Sequence, residues 1–180
     1  MLVAAVLVLF PACVPPGSDT APGHTANQAA SADHHATPLE ATVTTVIDGD
    51  TIEVEMAGRR HRVRLLGVDS PESVHPELPE QCYGKEATEG LSRLLPPGSE
   101  IIIERDVELH DRYQRLLLYV YRRPDGLFVN RWLVEQGLAE AVFYPPNVHF
   151  RPEIQRARQQ ARAARRGLWG HCEGPDQPLR

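Results

Sequence analysis

The chain has 180 residues, 42% of them hydrophobic, and a formal net charge of −5. That is one domain plus extensions, long enough for a proper core. The acidic balance argues against a large basic footprint. Much of the excess is peripheral, since Asp19, Asp33, Glu173 and Asp176 lie outside residues 39–172, which are close to neutral. Charge therefore decides neither for nor against a nucleic-acid partner, and predicts weak, strongly salt-dependent affinity for one.

Met1 to Phe10 is an unbroken apolar run, too short to span a bilayer. It reads as the apolar region of a secretory signal that ends in Pro11-Ala12-Cys13. A small residue directly before a cysteine resembles a bacterial lipoprotein signal, with Cys13 as the acylated first residue; simple cleavage is the alternative. Residues 1–12 are thus expected to be a signal peptide. The protein is expected to be exported, touching a membrane only through a lipid anchor at Cys13, or secreted. Residues 13–38 are rich in Pro, Ala, Ser, Thr, Gly and His with almost no large apolar side chains. They cannot bury enough surface to fold and predict a disordered tether.

The run Leu39 to Ile47 is β-branched through Thr44-Thr45-Val46-Ile47 and predicts a first strand. From Thr51 to Met56 polar and apolar residues alternate, so Ile52, Val54 and Met56 face one way. Asp50 shares their parity and should sit at the rim of the core. Ala57-Gly58 makes a turn. A returning strand then runs from Arg60 to Val68 with Arg60, Arg62 and Arg64 on one face, and proline stops it at Asp69-Ser70-Pro71-Glu72. A meander of this kind can bring Asp50 and Asp69 together.

Two carboxylates and a backbone carbonyl are the hard oxygen donors that Ca²⁺ or Mg²⁺ takes. A third carboxylate, Glu72, is placed to orient or deprotonate a nearby water. Arg64 can fork onto phosphate oxygens as charge builds there. An Asp-Gly-Asp triplet alone is more often a turn. Its continuation as R-L-L-G-V-D-S-P-E is what makes the constellation specific.

Further along, Glu77 to Tyr83 reads as a loop and Lys85 to Leu95 as a helix that buries Ala87, Leu91, Leu94 and Leu95 and ends at Pro96-Pro97-Gly98. Glu100 to Asp106 predicts a strand covered on both faces. A loop over Val107 to Tyr113 and a strand over Gln114 to Arg122 follow, with Arg115 among that strand's first residues. Asn130 is expected to cap a helix through Gln136, closed by Gly137. A last helix from Pro152 to Gly167 carries the apolar stripe Ile154, Ala157, Ala161, Ala164 and Leu168, with arginines around the rest as a solvated surface. Residues 173–180 read as a flexible tail. With Cys13 set aside, Cys82 and Cys172 are an even pair, either bridged in an oxidising compartment or left as two buried thiols.

The segments I-D-G-D-T, R-L-L-G-V-D-S-P-E, Cys82-Tyr83-Gly84-Lys85-Glu86-Ala87 and D-R-Y-Q-R, in this order and spacing, resemble the staphylococcal (micrococcal) nuclease or thermonuclease family from Leu39 to Cys172. The resemblance implies an α+β fold over residues 39–172, a five-stranded OB-fold β-barrel with three α-helices. It also implies a Ca²⁺-dependent nuclease, a monomer, that hydrolyses phosphodiester bonds of single- or double-stranded DNA and RNA with little sequence specificity. By the same resemblance Asp50, Asp69 and the Ser70 carbonyl hold the metal, Arg64 and Arg115 clamp the phosphate, and Glu72 acts on the attacking water. Arg112 and Tyr113 match positions that hold the terminal phosphate and nucleotide. Tyr144 matches one of two further aromatics, and Val142 occupies the place of the other. Gln114 stands where the family usually has glycine, and Ser70 where it has threonine. Similar cysteines in exported bacterial relatives favour a Cys82–Cys172 bridge. The competing expectation is a catalytically weak or inactive nuclease-like module for nucleic-acid binding or capture at the cell surface; the intact carboxylates and both arginines favour the enzyme.

Overall fold

A computed structural model describes residues 39–73, 81–172, 174, 175 and 177. The expected signal peptide 1–12, Cys13, the tether 13–38 and most of the tail 173–180 lie outside the described residues, as does most of the expected loop over 77–83. The chain divides into two units, Met1–His34 and His35–Arg180, and the fold is that of the second.

Its strands are β1 Leu39–Asp48, β2 Thr51–Met56, β3 Arg59–Leu65, β4 Glu100–His110, β5 Leu116–Arg122 and the two-residue β6 Leu127–Phe128. The helices are α1 Gly84–Leu94, α2 Val129–Glu135, α3 Arg151–Ala163 and a single turn, α4 Leu168–His171. The sheet order is β3-β2-β1-β4-β5-β6, and parallel pairing of β3 with β5 closes the first five strands into a barrel. The fold is therefore the α+β OB barrel with three main helices. Period-two alternation explains the closure, since it turns Val43, Ile52, Val54, Val63, Leu65, Ile101, Ile103, Leu118 and Val120 inward and buries all of them. Register shifts between Val43 and Thr45 and between Val46 and Asp48 put bulges into β1, which bend it around the core.

Several elements depart from their sequence-based bounds. β3 ends at Leu65, because Gly67 turns the chain at φ 76° before Asp69 is reached. Ile102 is only half-buried, so β4 alternates like its neighbours. β4 also runs on to His110 where a loop was expected. Between Arg105 and His110 it bulges away from β5, and the Asn147 amide takes over as a partner. Its Oδ1 accepts from Glu108 N–H at 2.8 Å, and its Nδ2 donates to the Glu108 carbonyl at 2.9 Å. Asn130 is not a cap but lies within the first turn of α2. Its buried amide donates to the carbonyls of Leu66 and Leu118 and accepts from Val120 N–H, tying α2 to the barrel.

The last helix was expected to reach Gly167 but ends at Ala163. Ala164 is exposed, and the chain turns through Arg165 at φ 51° and Gly167 at φ 53°. The reason is tertiary. Gly167 lies directly on the backbone of Gly137, itself at φ 69°, and a Cβ on either would overlap the other's chain. Leu168 N–H donates to the Gly137 carbonyl at 2.9 Å. This docking starts α4 and delivers Cys172 to Cys82, with which it forms a disulfide at a Cα–Cα distance of 5.8 Å across a sequence separation of 90.

Candidate active site

The β1–β2 turn and the end of β3 meet through one arginine. Arg64 pairs in register with Thr51 across β2 and Leu117 across β5, so its side chain emerges where the barrel closes. Its Nη1 donates to the carbonyls of Leu65 at 3.0 Å and Val68 at 2.7 Å. Its Nη2 lies 2.5 Å from Asp69 Oδ1 and 3.1 Å from Asp50 Oδ2. Asp50, 6% exposed, also accepts from the Ser70 N–H at 2.8 Å and from Thr51 Oγ1 at 2.9 Å. The two aspartates and Ser70 therefore gather within one hydrogen-bonded cluster.

The cluster suits a hard cation. Both carboxylates converge on one positively charged nitrogen, and the donors are oxygens only. Ser70 Oγ is buried and has no hydrogen-bond partner among the described residues. The Ser70 side chain lies over Gly49, where an added Cβ would come within 2.7 Å of it. Among the described residues no group of three or more His, Cys, Asp or Glu is placed to hold a metal.

The loop carrying Asp69 is held from both sides. Asp69 and Glu140 exchange backbone hydrogen bonds at 2.9 and 2.8 Å, and the buried Glu140 carboxylate pairs with Arg158 of α3. Glu72 is half-buried. Its N–H donates to Gln81 Oε1 and its carbonyl accepts from Gln81 N–H, both at 2.8 Å. Asp48, read in sequence as part of a turn, is a latch. Its Oδ1 accepts from Ser73 Oγ at 2.7 Å and Thr88 Oγ1 at 3.0 Å, joining β1, the Glu72 loop and α1.

A cleft of about 530 Å³ opens beside Arg64, and Arg112, Tyr113, Arg115, Val142 and Tyr144 line it. Arg115 lies one residue before β5 and is held through one edge: its Nε donates to Asp111 Oδ2 at 2.7 Å. Asp111 Oδ1 takes the N–H groups of Tyr113 and Arg115, both at 2.9 Å. Neither Nη group of Arg115 has a hydrogen bond among the described residues, so the guanidinium is anchored yet keeps a two-pronged edge. Gln114 reaches φ 63°, the left-handed backbone that glycine adopts most readily, so its side chain does not prevent the turn. Arg112 donates to Tyr113 Oη at 2.6 Å and lies over its ring. Tyr113 and Tyr144 are 64% and 72% exposed.

The profile of the family described as staphylococcal nuclease homologue matches residues 62–171. The chain is 40% identical over 126 residues to a thermonuclease of Staphylococcus hyicus, covering 70% of this chain and 73% of that protein. Against a thermonuclease of Staphylococcus intermedius it is 43% identical over 124 residues, 69% and 72% of the two chains. The chain belongs to the staphylococcal nuclease family. A more distant relative, named endonuclease YncB, from Bacillus subtilis (strain 168), is 35% identical over 133 residues, 73% of this chain and 62% of that one.

Within this family member the structure adds residues that sequence reasoning passed over: Asp111, Asp48, Glu140 and Asn147. Asp111 had a legible signal, an aspartate opening a polar turn whose carboxylate can take the N–H groups that follow. Burial opposes its ionisation, but the backbone N–H of Arg115, its guanidinium and the Tyr113 N–H outweigh that and hold the carboxyl below its ordinary value of 3.8. The sign follows. A depressed pKa means the turn's stabilisation is complete above 3.8 and is lost only as pH falls through the lower folded value. The Arg115 Nε–H resonance is therefore expected to stay protected from neutral pH down to about pH 4, and loss already at about pH 5 would contradict this. Asp111→Asn is expected to lower turnover by roughly ten- to a hundredfold, with KM changed less, because Arg115 loses its fixed aim.

Proposed function

We propose that the protein is an exported nuclease hydrolysing phosphodiester bonds of DNA and RNA with little sequence preference, with Ca²⁺ as its metal. The observation that supports it best is the place of Arg64, which touches Asp50 and Asp69 and also lines the cleft of Arg112, Tyr113 and Arg115. In this reading Asp50, Asp69 and the Ser70 carbonyl hold the cation, which when bound supplies Lewis-acid polarisation of a phosphoryl oxygen. Arg115 forks its Nη groups onto phosphate oxygens as their charge grows, and Arg64 adds charge from beside the aspartates. Glu72 orients the attacking water or takes its proton. The water oxygen bonds to phosphorus as the bond to the 5′ oxygen breaks, and that oxygen takes a proton from solvent, leaving a 5′-hydroxyl and a 3′-phosphate. Arg112 and Tyr113 take the terminal phosphate and nucleotide. Tyr144 offers a base its ring, and Val142 in place of an aromatic removes one contact. The apolar run Met1 to Phe10 supports export, with Cys13 as a lipid anchor or part of a cleaved leader, and we take the protein to act as a monomer.

One observation favours the competing reading of a weak or inactive capture module. Both Nη groups of Arg64 are already engaged by protein acceptors, which leaves fewer donors for a phosphate. Plasmid degradation with Ca²⁺, with Mg²⁺ and in chelator separates the two. Degradation is expected with Ca²⁺, poorly with Mg²⁺, because few protein ligands suit the larger and less demanding ion, and not in chelator. Full cleavage in excess chelator would overturn the metal assignment, and retardation without cleavage in Ca²⁺ would put the capture module ahead.

A further inference from the structure

A second groove, of about 430 Å³, shares His110, Tyr113 and Arg115 with the active-site cleft and continues along Arg60, His61 and Arg62 of β3. No Asp or Glu lines it, whereas Glu108 and Asp111 line the first cleft. The acidic neighbours are on β2, where Glu53 and Glu55 stand in register with Arg62 and Arg60. Arg60 pairs with Glu53 at 3.3 Å yet is 72% exposed, and Arg62, also exposed, makes no ion pair among the described residues. The cause is the strand period. Arg60, Arg62 and Arg64 lie two residues apart on one face of β3, about 7 Å between successive members, and the row leads toward the cleft that Arg64 lines. That stride is comparable with the spacing of successive phosphates in an extended strand. A chain with a net charge of −5 thus presents a track of guanidinium groups that begins at the candidate active site and is flanked by Glu53 and Glu55 on β2.

We propose that this groove holds the continuation of a single-stranded polynucleotide beyond the reacting phosphate. Arg60 and Arg62 contact consecutive phosphates next along the strand from the nucleotide at Tyr113, whose exposed ring stands where the two clefts join. A single strand is specified because an exposed ring can stack only on an unpaired base. The contacts are to phosphate, so DNA and RNA single strands share the track. The inference rests on the nuclease reading for where the reacting phosphate sits, but binding along the track needs no cleavage.

The test uses the full chain in chelator and follows the anisotropy of labelled single-stranded DNA and RNA of about twelve nucleotides against salt. Arg60→Gln with Arg62→Gln is expected to weaken both oligonucleotides about tenfold near 0.1 M salt and to flatten the log–log salt slope by roughly 1.4, two contacts at about 0.7 each. A dinucleotide should bind as before. Lys85→Gln with Arg93→Gln, which removes the same charge from exposed positions of α1, should change little. Arg62→Lys should stay within about threefold of wild type, because a phosphate contact of this kind needs charge more than a fork. Equal weakening by the α1 pair, equal loss for the dinucleotide, or an unchanged slope in the β3 pair would overturn the proposal. Cleavage measured in parallel with Ca²⁺ keeps the two readings apart. Binding that depends on Arg60 and Arg62 without cleavage retains the track and removes the nuclease, whereas cleavage with an unchanged slope does the reverse.

Discussion

Arg115→Lys is expected to lower turnover on the order of a hundredfold to a thousandfold while leaving KM nearly unchanged. The reason is where its donors point. Asp111 holds Nε, and the two Nη groups carry no hydrogen bond among the described residues, so the prongs are preorganised before substrate arrives. Charge on the phosphate oxygens rises as water attacks, and a fixed guanidinium then binds the transition state better than the ground state. Lysine supplies the charge without the planar fork and without an Nε to anchor on Asp111. Arg64→Lys should cost turnover similarly and stability as well, because Nη1 closes the Leu65 and Val68 carbonyls and Nη2 neutralises the buried Asp50. Thermal melting separates the two parts. Glu72→Gln is expected to keep Ca²⁺ dependence while losing rate, and Asp50→Asn to weaken Ca²⁺ affinity instead. Rates and Ca²⁺ titrations for the four variants side by side decide the roles. Wild-type cleavage by both arginine variants would mean the clamp is misplaced.

Removing the Cys82–Cys172 bridge is expected to cost about 4 to 5 kcal/mol on the chain-entropy model, since it closes a long loop. The comparison is urea unfolding with and without reductant, together with Cys82→Ala/Cys172→Ala, and coincident midpoints would refute it. The loss should also reach the site. Cys82 N–H donates to the Gln177 carbonyl and adjoins Gln81, whose amide and side chain hold the Glu72 backbone. Reduced protein that is still folded should therefore turn over more slowly than oxidised protein at equal metal saturation.

Much of this molecule was legible in the chain because its determinants are local. Alternation from Thr51 to Met56 sets which residues of β2 enter the core. Proline and glycine place the ends of α1. The run from Asp50 to Glu72 brings Asp50, Asp69 and Arg64 together because a tight meander leaves little choice of partner. What the sequence could not determine lies in pairings between distant positions. Nothing near Asp69 announces that Glu140 will bridge it and Arg158 will hold that bridge, or that Asn147 will stand in for a strand beside Glu108. Alanine-rich sequence alone would carry α3 through Ala164, yet the close approach of Gly137 and Gly167 ends it earlier. Local propensities amount to tenths of a kcal/mol per residue, and a backbone overlap outweighs them. The sequence thus determined the inward faces of β2 and β3, and its likeness to the family named the barrel and the candidate site residues. The tertiary structure decided which side chains aim them: Asp111 for Arg115, Gln81 for Glu72, and Glu140 with α3 for Asp69.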